Sequence, residues 1–507
     1  MRAKLAICAA AAVCSLSALA VWDTMFTKLN VIPRPREIVE KDGHYVVKAE
    51  KVTAALASFT VDESVKKEGY RMSVTKDGIA VRHADAAGAF YAVETLKQLA
   101  IPQVGGQIAF PCCELDDWPE YSWRGVHIDD CRHFMGKETI RLTLDLMAMH
   151  KMNVLHWHLT DDQGWRIDVP GYPELVKYGA VRPYSPRHGE RANELTPEGA
   201  DVYNTDPYGP FFYTRADLEE IIAYARARHI LVMPEIEIPG HMRAALAAYP
   251  EFSCRGKDLK PRHPWCKWGI SEDVLCVGND EAMAFLEKVF DYVCDVFDSP
   301  FIHIGGDECP TTRWHECPKC QAKMKALGFA KERDLQGYVT GRFADYLAKK
   351  GRRIFGWDEV LESKVPQSAV ILSWRGAKGA QEAAKRGNDT VMAAGFYFDG
   401  AQGIKDDPFE YIGGYQPIEA VFGVDPAAGV PDDQKKHVLG AECCNWSEYT
   451  WGRYDLTWKM WPRTCALAEN LWTKPEDPYN GRWPFMKRVW VQCERLRKMG
   501  VNCATVR

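Results

Sequence analysis

Two acidic residues, Asp307 and Glu308, stand side by side behind the apolar run that opens "FIHIGGDECP" (301–310). A carboxyl group with a raised pKa can hand a proton to a leaving oxygen at neutral pH. A second carboxylate beside it can stabilise the positive charge that develops, which is the acid chemistry of glycosidic bond cleavage. Neighbouring side chains of a strand point to opposite faces, so the two can serve one ligand only if the chain bends before them. Gly305 and Gly306 supply that freedom. The competing reading is an Asp-Glu pair that satisfies backbone amides at the start of a loop, and the pair alone does not separate the two.

The pair sits in a pattern. From about residue 120 onward, eight short β-branched runs alternate with helical stretches: "RGVHID" from Arg124, "NVLHWHL" from Asn153, "ILVMPEIE" from Ile230, "FIHIGG" from Phe301, "RRIFGW" from Arg352, "AVILSW" from Ala369, "DTVMAA" from Asp389 and "HVLGAE" from His437. Between them, segments such as 137–150, 215–229 and 280–297 carry apolar residues at three- and four-residue intervals. Eight strand-helix units predict an α/β fold, a (β/α)8 TIM barrel. Barrels place their chemistry at the C-terminal strand ends, and the reactive residues fall there. Asp129 and Arg132 follow the first run, Asp161 and Asp162 the second, Glu237 and His241 the third, and Asp307 and Glu308 the fourth. Trp357 and Asp358, Trp374, Tyr397 and Asp399, and Trp446 and Glu448 follow the remaining four in order.

Residues 21–118 read as a small α+β domain, with "GHYVV", a turn within "RMSVTKDGIAVRH" and a helix over 87–100; the barrel spans 119–480 and a terminal helix 481–507. Residues 172–213, polar and rich in Pro, Tyr and Gly, read as a long loop over the rim. The opening residues 1–20, with Arg2 and Lys4 ahead of a short apolar stretch and Ala18-Leu19-Ala20, fit a signal peptide cut after Ala20, so the expected location is periplasmic or extracellular. No other stretch is long and apolar enough to span a membrane. Losing Arg2 and Lys4 takes the formal charge from −5 to −5 − 2 = −7, which does not suit a nucleic-acid partner. Removing Cys8 and Cys14 from the 17 cysteines leaves 15, an odd number that leaves at least one thiol unpaired in a monomer.

"HIGGDE" resembles the signature of glycoside hydrolase family 20, the β-N-acetylhexosaminidases. "RGVHIDDCRHF", "MNVLHWHLTDDQGWRI", "PEIEIPGH", "GWDE", "SWRG", "FYFD" and "NWSE" also resemble that family's blocks, in its order and along the whole barrel. The residues before the barrel are similar, more loosely, to the small domain these enzymes carry. The resemblance implies a retaining, substrate-assisted reaction in which the substrate's own 2-acetamido oxygen attacks the anomeric carbon and forms an oxazolinium ion. Glu308 then matches the general acid and base, Asp307 the residue that orients the acetamido N–H, and Tyr397 the donor to its carbonyl oxygen. Trp357, Trp374 and Trp446 match the pocket walls, and Arg132, Asp399 and Glu448 the groups that grip sugar hydroxyls. Asp161 and His241, counted with the substrate-binding set, and His303 match positions that support the catalytic pair. No cofactor is required by this chemistry. The expected partner is a glycan or oligosaccharide.

Each assignment has a plainer competitor. The tryptophans could pack a core, but a shared place at strand ends suits a sugar face. Arg132 could pair with Asp129 or Asp130, and His156 and His158 could suggest a metal, for which barrel packing is the better reading. "CPTTRWHECPKC" places Cys309, Cys317 and Cys320 near His315; in an exported protein a disulfide is the simpler reading and a structural zinc site the alternative. The adjacent pairs Cys112-Cys113 and Cys443-Cys444 have no reading from sequence. The expected function is exo-acting removal of terminal N-acetylglucosamine or N-acetylgalactosamine. The alternatives are release of a disaccharide such as lacto-N-biose, or a barrel that binds carbohydrate without cleaving it.

Overall fold

The computed structural model describes residues 29–52, 56–185, 206–403, 414–475 and 478–506. The expected signal segment lies outside them, as does the middle of the rim loop. No described helix is long and apolar enough to cross a membrane.

The chain begins with β1 (Glu37–Lys48), β2 (Ala57–Val61), β3 (Tyr70–Thr75), β4 (Gly78–His83), α1 (Ala86–Leu99), β5 (Ile101–Gln103) and β6 (Gln107–Asp117). The strands form one sheet in the order β1-β6-β3-β4-β2, with β5 on β6. β3 and β4 are the hairpin legible around the Lys76-Asp77-Gly78 turn. Asp85 starts α1 by accepting from the Gly88 N–H, so a free amine of the first turn is satisfied. The long strand β6 was not expected. It contains Cys112 and Cys113, and the adjacency has a simple cause: successive side chains alternate faces, and both faces of β6 are covered here.

The barrel opens with β7 (Trp123–Asp129), α2 (Lys137–Met149) and β8 (Val154–His158), then a two-residue ladder of β9 (Thr160–Asp161) and β10 (Gly164–Trp165). α3 (Arg215–Arg226), β11 (Leu231–Glu235), α4 (Arg243–Ala248), α5 (Asp280–Val296) and β12 (Phe301–His303) follow. After α6 (Thr312–Glu316), α7 (Pro318–Leu327) and α8 (Arg333–Ala348) come β13 (Arg353–Trp357), β14 (Val370–Ser373), α9 (Ala377–Arg386), β15 (Thr390–Met392), α10 (Ile418–Val421) and β16 (Val438–Asn445). α11 (Arg453–Met460), α12 (Arg463–Trp472) and α13 (Pro478–Lys498) end the chain. Eight parallel strands close on themselves, β16 pairing with β7 from Gly440 opposite Trp123 to Asn445 opposite Ile128. Each coincides with one of the eight runs read from sequence.

The barrel interior is layered by the two-residue period of its strands. At the lower end Trp123 stacks on Phe355 with ring centroids 4.7 Å apart, and Phe301 meets Phe355 edge-on. Above them β7, β8 and β12 turn inward His127, His156 and His303, all buried. The next inward position on β8 is His158, which is also buried. Cys443 and Cys444 divide between the helix-facing core and the barrel interior, again because β16 is covered on both faces. α13 returns to the first unit, where Arg495 donates through Nη2 to the Gln98 carbonyl at 2.6 Å and through Nη1 to the Asn30 carbonyl at 2.6 Å.

Candidate active site

The strand β12 ends at His303 and the backbone then turns sharply: φ is +64° at Gly305, +92° at Gly306 and +41° at Glu308. A Cβ at Gly305 would lie 1.7 Å from Oε2 of Glu237, so only glycine fits. The turn brings Asp307 and Glu308 together onto one cavity of about 530 Å³ at the C-terminal end of the barrel. Asp307 is 8% exposed, whereas the Glu308 side chain is 38% exposed. The expected bend is therefore present and has the expected effect.

Arg132, Trp357, Trp374, Tyr397, Asp399, Trp446 and Glu448 line the same cavity, so strand ends far apart in sequence converge as anticipated. Trp357 and Trp446 stand with ring centroids 5.7 Å apart, and Trp374 lies near-parallel to Tyr397 at 6.2 Å. Each indole is fixed by a carboxylate where one is within reach: Trp357 Nε1 donates to Glu235 Oε1 at 2.8 Å, and Trp374 Nε1 to Glu359 Oε2 at 2.9 Å. Burial keeps the Tyr397 phenol well above its ordinary pKa, so it remains an O–H donor.

Arg132 is held from three sides. Its Nε donates to Gln163 Oε1 at 2.8 Å, Nη2 pairs with Asp161 Oδ2 at 2.9 Å, and Nη1 lies 3.5 Å from Asp129 Oδ2. Asp130, the other acid weighed as its partner, instead accepts from Trp157 Nε1 at 2.5 Å and from the Tyr213 hydroxyl at 2.9 Å. The guanidinium also stands 5.0 Å above the Trp446 ring. Buried Arg182 reaches the Arg132 carbonyl at 2.5 Å through Nη2 and the Gln163 carbonyl at 3.0 Å through Nη1. Part of the expected rim loop is therefore packed structure: it forms a π-helical turn over Leu175–Gly179 and a bridge between Arg182 and Tyr208.

Asp161, His241 and His303 do not line the cavity. They lie behind it, which corrects the substrate-binding role expected for Asp161 and His241. Asp161 meets Arg132, His158 Nε2 at 2.9 Å and His241 Nδ1 at 3.3 Å. Burial would raise its pKa, but Arg132 and His241 hold it well below the usual carboxylate range. Asp162, unassigned from sequence, meets the same His241 nitrogen at 3.1 Å and is anchored by the N–H groups of Arg243 and Ser271 at 2.9 and 3.1 Å. On its other side His241 Nε2 lies 3.5 Å from Asp307 Oδ2 and 3.6 Å from Glu308 Oε2. Burial opposes the charge on His241, yet Asp161 and Asp307 hold its pKa well above the ordinary value. A protonated imidazole thus bridges a buried acid pair to the two cavity carboxylates. His303 Nδ1 pairs with Glu235 Oε1 at 2.7 Å, and His156 links Glu235 at 3.1 Å to Glu442 at 2.7 Å. His156 and His158, weighed between a metal site and barrel packing, thus both pair with buried carboxylates inside the barrel.

Three buried carboxylate oxygens in the cavity wall have no protein partner: Asp307 Oδ1, Asp399 Oδ1 and Glu448 Oε2. A buried acceptor without a donor is costly, so these atoms mark where hydroxyl or N–H groups of a ligand fit. Burial raises Asp399 to about 6 and Glu448 to about 7, with Arg132 opposing the rise at Glu448.

Neither reading weighed for Cys309, Cys317, Cys320 and His315 holds as stated: the three cysteines are free thiols rather than disulfide-bonded, and the four residues do not assemble as a zinc set. α6 turns His315 outward, 77% exposed, where its ring meets Glu332 at 2.9 Å. Cys317 and Cys320 converge instead with Cys254 and Cys276.

Residues 121–475 match the family model described as "Glycosyl hydrolase family 20, catalytic domain", and residues 36–118 match "Glycosyl hydrolase family 20, domain 2". A β-hexosaminidase of Porphyromonas gingivalis is 38% identical over 450 residues, which are 86% of this chain and 55% of that protein. The chain thus spans little more than half the length of that relative. A β-hexosaminidase of Akkermansia muciniphila is 32% identical over 418 residues, 81% of this chain and 80% of that protein. Among solved structures, the exo β-N-acetylglucosaminidase of Vibrio harveyi in complex with N-acetylglucosamine superposes with a TM-score of 0.82 at 26% identity, covering 95% of this chain and 79% of that one. A β-N-acetylhexosaminidase of Bacteroides fragilis gives 0.77 at 28% identity, covering 94% and 97%.

Proposed function

The chain belongs to glycosyl hydrolase family 20, and from that premise we propose that it is an exo-acting β-N-acetylhexosaminidase working by substrate-assisted retention. The observation that carries the reading is the trio of unpartnered oxygens on Asp307, Asp399 and Glu448 around one cavity beside an exposed Glu308. Asp399 and Glu448 accept sugar hydroxyls and Arg132 donates to them, while the three indoles flank the ring and the acetamido methyl.

In the first step the acetamido carbonyl oxygen forms a bond to C1 while the C1–O bond to the aglycone breaks and Glu308 gives its proton to that oxygen. Tyr397 donates to the attacking oxygen and fixes its direction. Asp307 accepts the acetamido N–H and offsets the charge of the oxazolinium ion. In the second step the Glu308 carboxylate takes a proton from water, which attacks C1 and reopens the ring. Two inversions at C1 give net retention. His241 and Asp161 act through Asp307 and Glu308 rather than on the sugar.

The chain is further proposed to act outside the cytoplasm after cleavage behind Ala20. Hydrolysis of an aryl N-acetyl-β-glucosaminide beside the aryl β-glucoside, with wild type and Glu308→Gln, tests the activity. Cleavage of the first substrate alone, lost in the variant, supports it. Sugar binding without cleavage of either turns the reading towards a larger released unit or a binding protein.

A further inference from the structure

Cys254 and Cys276 belong to the segment between α4 and α5, on either side of a short antiparallel contact in which Ser253 opposes Leu275. Cys317 caps α7, Pro318 occupies its first position, and Cys320 lies in its first turn. The four sulfurs all lie within 4.8 Å of one another. Cys254–Cys320, Cys276–Cys317 and Cys276–Cys320 each measure 3.7 Å between Sγ atoms. A tetrahedral tetrathiolate with Zn–S bonds of about 2.3 Å has sulfur-sulfur edges of about 3.8 Å. None of these contacts is at the bonding distance of a disulfide, about 2.0 Å, and all four cysteines are free thiols.

The surroundings fit a built site. Cys276, Cys317 and Cys320 are buried, and the Gly278 N–H donates to Cys320 Sγ at 3.4 Å, as amides do to ligand thiolates. A Cβ at Gly278 would lie 2.2 Å from the Lys319 carbonyl carbon, so the two cysteine-bearing segments approach this closely because that residue is glycine. Trp314 Nε1 donates to the Leu275 carbonyl at 2.9 Å, and Arg313 Nε pairs with Asp273 at 3.0 Å, which joins the same segments beside the sulfurs. In the converging group of Asp161, Asp162 and His241, by contrast, the carboxylates already have Arg132 and His241 as partners. An all-sulfur donor set suits zinc.

We propose that Cys254, Cys276, Cys317 and Cys320 hold one structural Zn2+ as a tetrathiolate, which ties the chain following Glu308 to the segment between α4 and α5. Binding replaces four thiol protons by the metal and releases them to solvent. The ion is remote from the sugar cavity in role: it fixes the loop that leaves the acid pair and takes no part in proton transfer. That last consequence rests on the hydrolase reading, whereas the metal content is measured without activity.

The full chain, purified without chelator from cells grown with zinc, is expected to carry one zinc per chain by plasma mass spectrometry. Titration with an organomercurial, followed with 4-(2-pyridylazo)resorcinol, is expected to release that zinc as four thiols react. Cys276→Ser and Cys320→Ser are expected to lose the metal, while Cys309→Ser and His315→Ala retain it. Because a ligand variant can fail to fold, the titration of native protein stands by itself. Folded wild type with substoichiometric zinc and disulfides mapped among these four cysteines would overturn the proposal. So would stoichiometric iron, or loss of zinc in the Cys309 or His315 variants.

Discussion

Nε2 of His241 stands 3.5 Å from Oδ2 of Asp307, behind the residues that line the cavity. Against burial, Asp161 and Asp307 hold the pKa of the imidazole well above the ordinary value, and Asp161 and Asp162 flank its other nitrogen at 3.3 and 3.1 Å. Replacing it with alanine leaves Asp307 without its buried counter-charge. His241→Ala is expected to lower kcat by about 10²-fold with a much smaller change in KM, since the loss falls on transition-state charge. Steady-state kinetics on the folded variant check this. A kcat within a few-fold of wild type would place His241 in a purely structural role.

Asp161 contributes through its charge. Its pKa is depressed by Arg132 and His241 against burial, so its stabilisation is fully present above the ordinary Asp range and is lost as pH falls towards the folded value. Asp161→Asn is expected to cost about 3–5 kcal/mol at pH 7, as breaking a buried ion pair does. The gap to wild type narrows below about pH 4, where the unfolded carboxyl of the wild type is protonated. Urea denaturation at the two pH values measures it.

Glu448 has the opposite sign. Burial first, with Asp129 adding to it, raises its pKa to about 7 despite Arg132. A raised folded pKa favours the native state below the usual Glu range, and that advantage is lost as pH rises through about 7. Glu448→Gln removes the titration, so the variant is expected to match wild-type stability near pH 4.5 and to exceed it by on the order of 3 kcal/mol at most at pH 8. Equal gaps at both pH values would show that Glu448 ionises freely.

Gly305 is a steric requirement. With φ at +64° and Glu237 Oε2 1.7 Å from any Cβ, Gly305→Ala must move the strand end or the Glu237 carboxyl. Loss of activity by about 10²-fold or more and destabilisation of about 1–3 kcal/mol are expected. Parallel activity and melting measurements would show whether the two effects arise together.

Much of this was legible in the residues. Barrel strands are covered on both faces, so they read as short apolar runs, and each ends where a different chemistry begins: His303 before Gly305, Trp357 before Asp358, Asn445 before Trp446. β6 was missed because Pro111 and two cysteines interrupt a familiar strand composition, although its pairing with β1 and β3 holds it in the centre of its sheet. The ion-pair web behind the cavity was only half visible. Asp161 and His241 stood out, but Gln163, Asp162, Glu235, Glu359 and Arg182 act through contacts that spacing along the chain does not encode. The cysteines show the same limit. Cys317 and Cys320 announce themselves by their spacing, yet their neighbours in space lie 41 to 66 positions away, whereas spacing alone points to the nearer His315 and Cys309.

The central claim is that the nucleophile belongs to the substrate and that Glu308 and Asp307 serve it. Aryl β-glucosaminides bearing N-acetyl, N-fluoroacetyl, N-difluoroacetyl and N-trifluoroacetyl groups test it most directly, because each fluorine weakens the carbonyl oxygen as a nucleophile and changes size little. A progressive fall in kcat/KM, reaching roughly 10²-fold or more across the series, is predicted, since the attacking oxygen enters the rate-limiting barrier. A flat series with retained configuration would mean that an enzyme carboxylate attacks C1, and would contradict the account.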